Sequence, residues 1–310
     1  MKNYLDLKRS KTFPFMRDVF IDQVYEASVK DKDIFFMTPD MGAPALDKYR
    51  ENISDQFIHC GICEQHMIAM AAGLSLMDKN VFCYAMAPFI TSRCYEQIKC
   101  SLAAMDQKVN LVGIGIGLGY ADAGPTHYST EDLATMRVFP NMEILTPCDE
   151  LSTRAVAKYA IDNKKLRFIR LDRDALPPVY KKEEEFDISQ SYKTLIENGE
   201  TCIISNGYLL NKLFHFINEN QLKYSLIDLY RSSPLPDNLI QDLKKYKKIY
   251  TVEEQWIDGG LGSQILELVH DNNINIEIKR IGLDKIFYFQ NGGRDYLHKN
   301  HGIDLEQIFL

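Results

Sequence analysis

No apolar run in this 310-residue chain reaches the roughly 18 residues needed to cross a bilayer, so no transmembrane helix is expected. Positive charge is not in excess: 36 Lys and Arg stand against 43 Asp and Glu, a formal net charge of −7, and the lysines are dispersed. A nucleic-acid or anionic-membrane surface needs clustered basic residues, so neither partner is expected. The paired, closely spaced cysteines of a secreted disulfide framework are missing too. The seven that occur are an odd number spread from Cys60 to Cys202 and read as reduced thiols. The opening MKNYLDLKRSK lacks the apolar core of a secretory leader, and together these features point to the cytoplasm. There is no low-complexity segment and no internal repeat. What is present is globular: 45% hydrophobic and 25% charged residues, enough apolar surface for a core, in a length that suggests about two domains.

Periodicity sets the fold class. Apolar residues recur at helical spacing over 13–30 (Phe15, Val19, Phe20, Val24, Tyr25, Ala27), and 34–37 is a short buried strand stopped by Thr38-Pro39-Asp40. A buried strand over 57–60, a turn at Gly61 and a helix follow. Further strands are expected at 81–85, 109–114, 143–145 and 166–171, with helices over 92–105, from about residue 130, and over 150–162. Strands that are apolar throughout and alternate with helices predict a parallel sheet covered on both faces. The stretch after 172 holds Pro177-Pro178 and the mixed charge run 181–185. It places a linker at 179–191 between a first domain, 1–178, and a second, 192–310. In the second, strands are expected near 201–204, 225–229, 248–252 and 274–281, and helices near 209–218, 237–246 and 261–271. The fold class is α/β, with two parallel-sheet domains.

The stretch 57–73, FIHCGICEQHMIAMAAG, organises the chemistry. Glu64 is the only acid between Phe57 and Met77 and falls at a helix start, where unpaired backbone N–H groups and the helix dipole favour a carboxylate. It is either a plain helix-start acid or a working group. Cys60 and Cys63 have CxxC spacing with His59 and His66 beside them, but no second pair at finger spacing follows, so the thiols read as small apolar packing groups. Glycines at 113, 115, 117, 119 and 124 invite a dinucleotide reading, yet Gly115-Ile116-Gly117 needs a third glycine at 120, where Tyr120 stands. These glycines instead let the backbone pass close to something bulky. The loop ends in Gly124-Pro125-Thr126-His127, which presents a histidine beyond a strand's carboxyl end, the edge at which open parallel sheets bind ligands.

Glu64 on its turn, the segment Tyr84-Ala85-Met86-Ala87-Pro88-Phe89 running on to Arg93-Cys94-Tyr95-Glu96-Gln97, and Gly124-Pro125-Thr126-His127 follow one another as in the pyrimidine-binding domain of transketolase. The chain resembles that family over nearly its whole length. Thr38-Pro39-Asp40 and Leu171-Asp172-Arg173 agree with it. Ile227-Asp228-Leu229, Val252-Glu253-Glu254 and Gly259-Gly260-Leu261-Gly262-Ser263 resemble the family's C-terminal domain. The Gly-Asp-Gly motif with which thiamine diphosphate enzymes hold the diphosphate and Mg2+ (or Ca2+) does not occur, and Asp258-Gly259-Gly260 is not that motif. The resemblance therefore implies the C-terminal subunit of a split transketolase. Its N-terminal partner subunit would carry the diphosphate and metal site, in an α2β2 assembly, and no metal ligand is expected from this chain.

The resemblance also implies roles. Glu64 hydrogen-bonds the pyrimidine N1′ and favours the imino tautomer that takes the thiazolium C2 proton, a charge-assisted contact strengthened by desolvation. Phe89 stacks on the pyrimidine, or Ile90 does so in a register shifted by one. Tyr95, Asp40 and Ile62 complete the cofactor-binding set. His127 faces the substrate hydroxyls or the reacting oxygen. Arg173 and Arg17 match positions that hold a substrate phosphate, a task suited to the guanidinium fork. The acid that single-chain members place directly before Gly-Pro-Thr-His is here Ala123, with Asp122 one place earlier, and one of their phosphate-binding histidines falls on Gly115. These departures imply an unusual sugar in place of the ordinary pentose-phosphate substrates. The implied reaction is transfer of a two-carbon ketol unit from a ketose to an aldose. Three other readings share part of the pattern: a 1-deoxyxylulose-5-phosphate synthase, the β-subunit of a 2-oxoacid dehydrogenase, and a non-catalytic module that kept the fold.

Overall fold

The computed structural model describes residues 13–310. The opening MKNYLDLKRSK, read above as carrying no leader, lies outside the described residues, as does the start of the first domain. Twelve strands are present among the described residues: β1 (Ile34–Thr38), β2 (Phe57–His59), β3 (Asn80–Met86), β4 (Val109–Ile114), β5 (Glu143–Leu145), β6 (Arg167–Leu171), β7 (Lys193–Ile196), β8 (Thr201–Ser205), β9 (Ser225–Asp228), β10 (Arg231–Ser233), β11 (Lys248–Trp256) and β12 (Glu277–Leu283). They form a seven-stranded sheet in the order β10-β5-β6-β4-β3-β1-β2 and a five-stranded sheet in the order β12-β11-β8-β9-β7. Both are parallel except at β10, antiparallel to β5, and β7, antiparallel to β9.

The alternation of side chains along β3 explains why the first sheet is covered on both faces. Phe82 and Tyr84 join one buried cluster with Phe20, Ile21 and Val24 of the helix Met16–Lys30 and Val156 and Ala157 of the helix Glu150–Asp162. Val81, Cys83 and Ala85 join the opposite cluster with Met67, Ile68 and Ala71 of the helix Glu64–Leu76. Each fully buried Val or Phe contributes about 1.5–3 kcal/mol. The helix Glu150–Asp162 is started by a reciprocal cap, in which Asp149 accepts from the Ser152 backbone N–H at 2.8 Å. The other Asp149 oxygen accepts from the Val179 and Tyr180 backbone N–H groups at 2.9 and 2.8 Å, tying down the chain that leaves the first sheet.

Several expectations need correction. β2 is not a buried strand: it is three residues at the sheet edge, with Phe57 and Ile58 half-buried and His59 exposed. The helix expected over 92–105 is broken. A turn of helix at Ala87–Ile90 begins with Pro88 in its first turn. Thr91 then bonds back to the Ala87 carbonyl at 2.6 Å, and a 3-10 turn (Ser92–Cys94), a short α turn (Tyr95–Gln97) and a π turn (Ile98–Ala103) follow. The helix expected from about 130 is the short Asp132–Met136. Both sheets are mostly parallel, as expected, each with one antiparallel edge strand. β10, from beyond the linker, completes the first sheet, with Arg231 opposite Leu145. No helix among the described residues is long and apolar enough to cross a membrane.

Candidate active site

The carboxyl ends of β6, β4, β3, β1 and β2 lie side by side in that order, and the segments that follow them carry Arg173, His127, Phe89, Asp40 and Glu64. At Gly61 the chain takes φ +69° and turns into the helix Glu64–Leu76. Glu64 is only 4% exposed, and its Oε1 accepts from Arg93 Nη1 at 2.7 Å. The Arg93 guanidinium lies over Phe89, 4.0 Å from the ring centroid. Phe89 meets His127 edge-on with centroids 5.3 Å apart, and Thr126 Oγ1 is 2.9 Å from His127 Nδ1. Phe89 is half-buried and faces this group, whereas Ile90 is completely buried in the core behind β3.

Tyr120 extends the cluster. Its ring centroid is 6.2 Å from that of His127, and the Arg173 guanidinium lies 4.6 Å from it. Arg173 donates to Asp122 at 2.7 Å. Arg17, paired with Asp18 at 2.9 Å, is close enough for its charge to act on the Tyr120 phenol, against burial, which pushes that phenol up. Two glycines explain the loop. Gly115 (φ +76°) lies under Tyr120, whose ring a Cβ would meet at 2.1 Å, and Gly117 (φ +57°) lies under Glu254, whose carboxylate a Cβ would meet at 2.1 Å. The expectation that glycines bring the backbone close to bulky groups is thus met. A histidine at 115 has no room while Tyr120 stands where it does.

Three further expected residues lie outside the Glu64–Phe89–His127 contacts. Asp40 is exposed and 3.6 Å from His59. Ile62 is 73% exposed beside the Glu64 turn. Tyr95 packs on Phe139, centroids 5.0 Å apart, against the core rather than on Phe89. Cys60 is a half-buried thiol pushed up to about 11 by burial, Cys63 is exposed, and both are free. Among the described residues, no group of three or more His, Cys, Asp and Glu is set to hold a metal ion.

Behind this edge the second sheet buttresses the first. Arg294 is buried and donates to Asp172, just past β6, at 2.7 and 3.0 Å, and to Glu254 of β11 through Nε at 2.7 Å and through Nη2. Its guanidinium stacks on Tyr208 at 3.5 Å, and His298 also bonds Glu254. Burial alone pushes the Glu254 carboxyl up, but Arg294 and His298 outweigh it and hold it at about 2. The Gly-rich loop is pinned from the same side, by Gln255 Nε2 on the Ser129 carbonyl at 2.8 Å and the Trp256 N–H on the Thr130 carbonyl at 2.9 Å.

The site suits one part of a large cofactor. A buried carboxylate beside a half-buried aromatic ring fits an aminopyrimidine, whose ring nitrogen needs an acceptor and whose face needs a platform. Arg93, Arg173 and Arg17 are each paired with a carboxylate. Sequence reasoning assigned no role to Arg93, Tyr120 or Arg294. Arg93 and Tyr120 sit close to the motif residues, but nothing local signals that the two side chains fold onto Phe89 and Gly115.

Two family descriptions match the chain: the transketolase pyrimidine binding domain over residues 14–178 and the transketolase C-terminal domain over 192–308. The chain belongs to the transketolase family. Its extent is that of the C-terminal subunit of a transketolase divided into two chains. It is 30% identical to one of the subunits of the apulose-4-phosphate transketolase of Phocaeicola vulgatus, over 94% of this chain and 94% of that one. It is also 30% identical to the 1-deoxy-D-xylulose-5-phosphate synthase of Cytophaga hutchinsonii, over 95% of this chain but 47% of that longer protein. Among solved structures, a split gene transketolase described as an inactive beta4 tetramer has the same fold. The TM-score is 0.83 at 24% identity, over 94% of this chain and 95% of that one.

Proposed function

We propose that this chain holds the pyrimidine half of a thiamine diphosphate site. An N-terminal subunit supplies the diphosphate and Mg2+ (or Ca2+) ligands, in an α2β2 assembly in the cytoplasm. The half-site belongs to the domain 1–178, and the domain 192–310 braces it across the linker 179–191. The meeting of buried Glu64, half-buried Phe89 and His127 at one sheet edge carries the reading. A fold needs none of the three there, which argues against a non-catalytic module. The 2-oxoacid dehydrogenase β-subunit lacks Gly-Pro-Thr-His and ranks behind.

When bound, thiamine diphosphate would supply the carbon nucleophile for breaking the C2–C3 bond of a ketose and joining the two-carbon unit to the aldehyde carbon of an aldose. The chain's residues orient and hold protons. Glu64 holds a proton at the pyrimidine N1′, and its burial excludes competing water. Phe89 supports the ring. His127, with Nδ1 engaged by Thr126, leaves Nε2 for a substrate oxygen. Arg173 reads a phosphate, Asp122 a hydroxyl, and Tyr120 forms the wall between His127 and Arg173, with Arg17 behind it. Asp40 and Ile62 flank the pyrimidine pocket from the β1 and β2 ends. Tyr95 supports it only from the core. The relative named for apulose-4-phosphate suits a wall altered at Ala123 and Gly115, and a sugar outside the ordinary pentose phosphates is the expected substrate.

The test is turnover by this chain co-produced with its N-terminal subunit, using ketose phosphate donors and aldose acceptors. Ketol transfer that falls about a hundredfold in E64Q supports the reading, and wild-type turnover in E64Q overturns it. The second reading, a synthase, has its support in the 30% identity to that enzyme. Turnover of pyruvate in place of ketoses would favour it.

A further inference from the structure

Arg93 makes both contacts that an aminopyrimidine at this edge would make. Its Nη1 donates to Glu64 Oε1 at 2.7 Å, and its guanidinium carbon lies 4.0 Å from the Phe89 centroid. The face of Phe89 that it covers is therefore the one turned toward the Glu64 carboxylate. A ring that stacks on Phe89 and also reaches Glu64 has to use that same face. The two ligands are also chemically alike. A guanidinium is planar, cationic and edged with N–H donors, and so is an aminopyrimidine that carries a proton on its ring nitrogen.

Arg93 is held loosely enough to leave. Its side chain is 39% exposed, against 5% for Glu64, and it meets the carboxylate through a single nitrogen. It sits in the 3-10 turn Ser92–Cys94, between two short pieces of helix, with its carbonyl held by Gln65 Nε2 at 3.1 Å, so the exchange is a movement of the side chain alone. The adjoining Ser92 touches Glu131 at 3.2 Å. That carboxyl is pushed up by burial and by Asp132 and has no ion-pair partner among the described residues, so it offers a withdrawn guanidinium an acceptor.

We propose that Arg93 is a built-in competitor for the pyrimidine pocket, and that cofactor binding requires its guanidinium to withdraw from Glu64 and Phe89. This rests on the reading of Glu64 and Phe89 as pyrimidine contacts and adds to it what sets the affinity. Side-chain exchange at Arg93, rather than the pocket's shape alone, then controls how readily the half-site accepts its ligand.

The experiment uses the complex of this chain with its N-terminal subunit. Thiamine diphosphate is titrated calorimetrically at fixed Mg2+ into wild type, R93M and E64Q. R93M keeps an unbranched apolar stem and removes the donors. It should bind thiamine diphosphate about tenfold more tightly than wild type, equivalent to about 1.4 kcal/mol, while E64Q binds more weakly. Before cofactor is added, R93M should unfold at a lower temperature than wild type, because Glu64 has lost its donor. Tighter binding then cannot be credited to general stabilisation. An unchanged or raised unfolding temperature contradicts the Arg93–Glu64 contact. Equal or weaker affinity in R93M, with E64Q still impaired, overturns the competition and leaves the half-site standing. Wild-type affinity in E64Q overturns the half-site and the competition with it. If R93M does not assemble, R93Q removes the charge with a polar side chain and is judged by the same outcomes.

Discussion

Arg93 and Arg294 both pair with glutamates, but the two pairs are built for opposite purposes. Arg294 spends its donors on Asp172, Asp174 and Glu254, lies on Tyr208 and is 9% exposed. It joins the end of β6 to β11 and the helix Arg294–Asn300, so the two sheets close on one guanidinium. Arg93 offers one nitrogen to Glu64, from a broken helix at the open edge of the first sheet. The first arrangement is over-determined and cannot be exchanged for a ligand. The second is one hydrogen bond and one ring contact that a ligand can replace. The contrast separates what braces the site from what occupies it.

The largest effect should come from breaking the brace. R294M leaves Glu254 and Asp172 buried without their cation, and should cost about 3–5 kcal/mol in chemical unfolding of the cofactor-free chain. A loss under about 1 kcal/mol would place the pair among dispensable contacts. Acid sharpens the same point. Glu254 is depressed to about 2 from an ordinary 4.5. Its contribution is therefore complete above about pH 4.5 and lost as pH falls toward 2, and R294M should weaken that dependence.

At the open edge, E64Q should leave folding nearly intact while turnover by the complex drops about a hundredfold. A comparable loss of stability would move Glu64 to the structural side of the comparison. G115A comes next. It forces a Cβ into φ +76° and against the Tyr120 ring at 2.1 Å. The backbone alone should cost about 1–2 kcal/mol, and Y120A should recover part of the loss by removing the clash, as a double-mutant cycle would register.

The last case concerns a buried acid with no arginine at all. Asp228 lies under Tyr180, whose hydroxyl donates to it at 2.8 Å, and burial pushes its carboxyl up to about 8. It is neutral in the folded chain and ionised in the unfolded one between its ordinary 3.8 and about 8. Its contribution to stability is therefore full below about pH 4 and lost as pH rises toward 8. D228N should remove that loss, so its stability relative to wild type should increase from pH 4 to pH 8 in unfolding titrations. A difference independent of pH would show that Asp228 stays ionised.

Elements built from local pattern were legible in the sequence. β4, β5 and the helices Glu150–Asp162 and Leu261–Asp271 fall where periodicity places them, because apolar spacing and turn residues specify them without help from distant contacts. β7 and β10 escaped notice, since Lys193–Ile196 and Arg231–Ser233 are short and partly polar and become strands only by pairing with β9 and β5. The closing helices Arg294–Asn300 and Leu305–Phe309 are also short, and the first is mostly polar. At the site, Glu64 and His127 were visible because a lone acid and a Gly-Pro turn are unusual in their settings. Arg93 and Tyr120 were not, because what matters about them is which ring or glycine they lie on, and that is decided by tertiary packing.

The most direct measurement is titration of thiamine diphosphate, with Mg2+ present, into the isolated chain and into its complex with the N-terminal subunit. If Glu64 and Phe89 are half of a site completed by a second chain, binding saturates in the complex, weakens there in E64Q, and is feeble in the isolated chain. Binding by the isolated chain as tight as that of the complex would contradict the divided site.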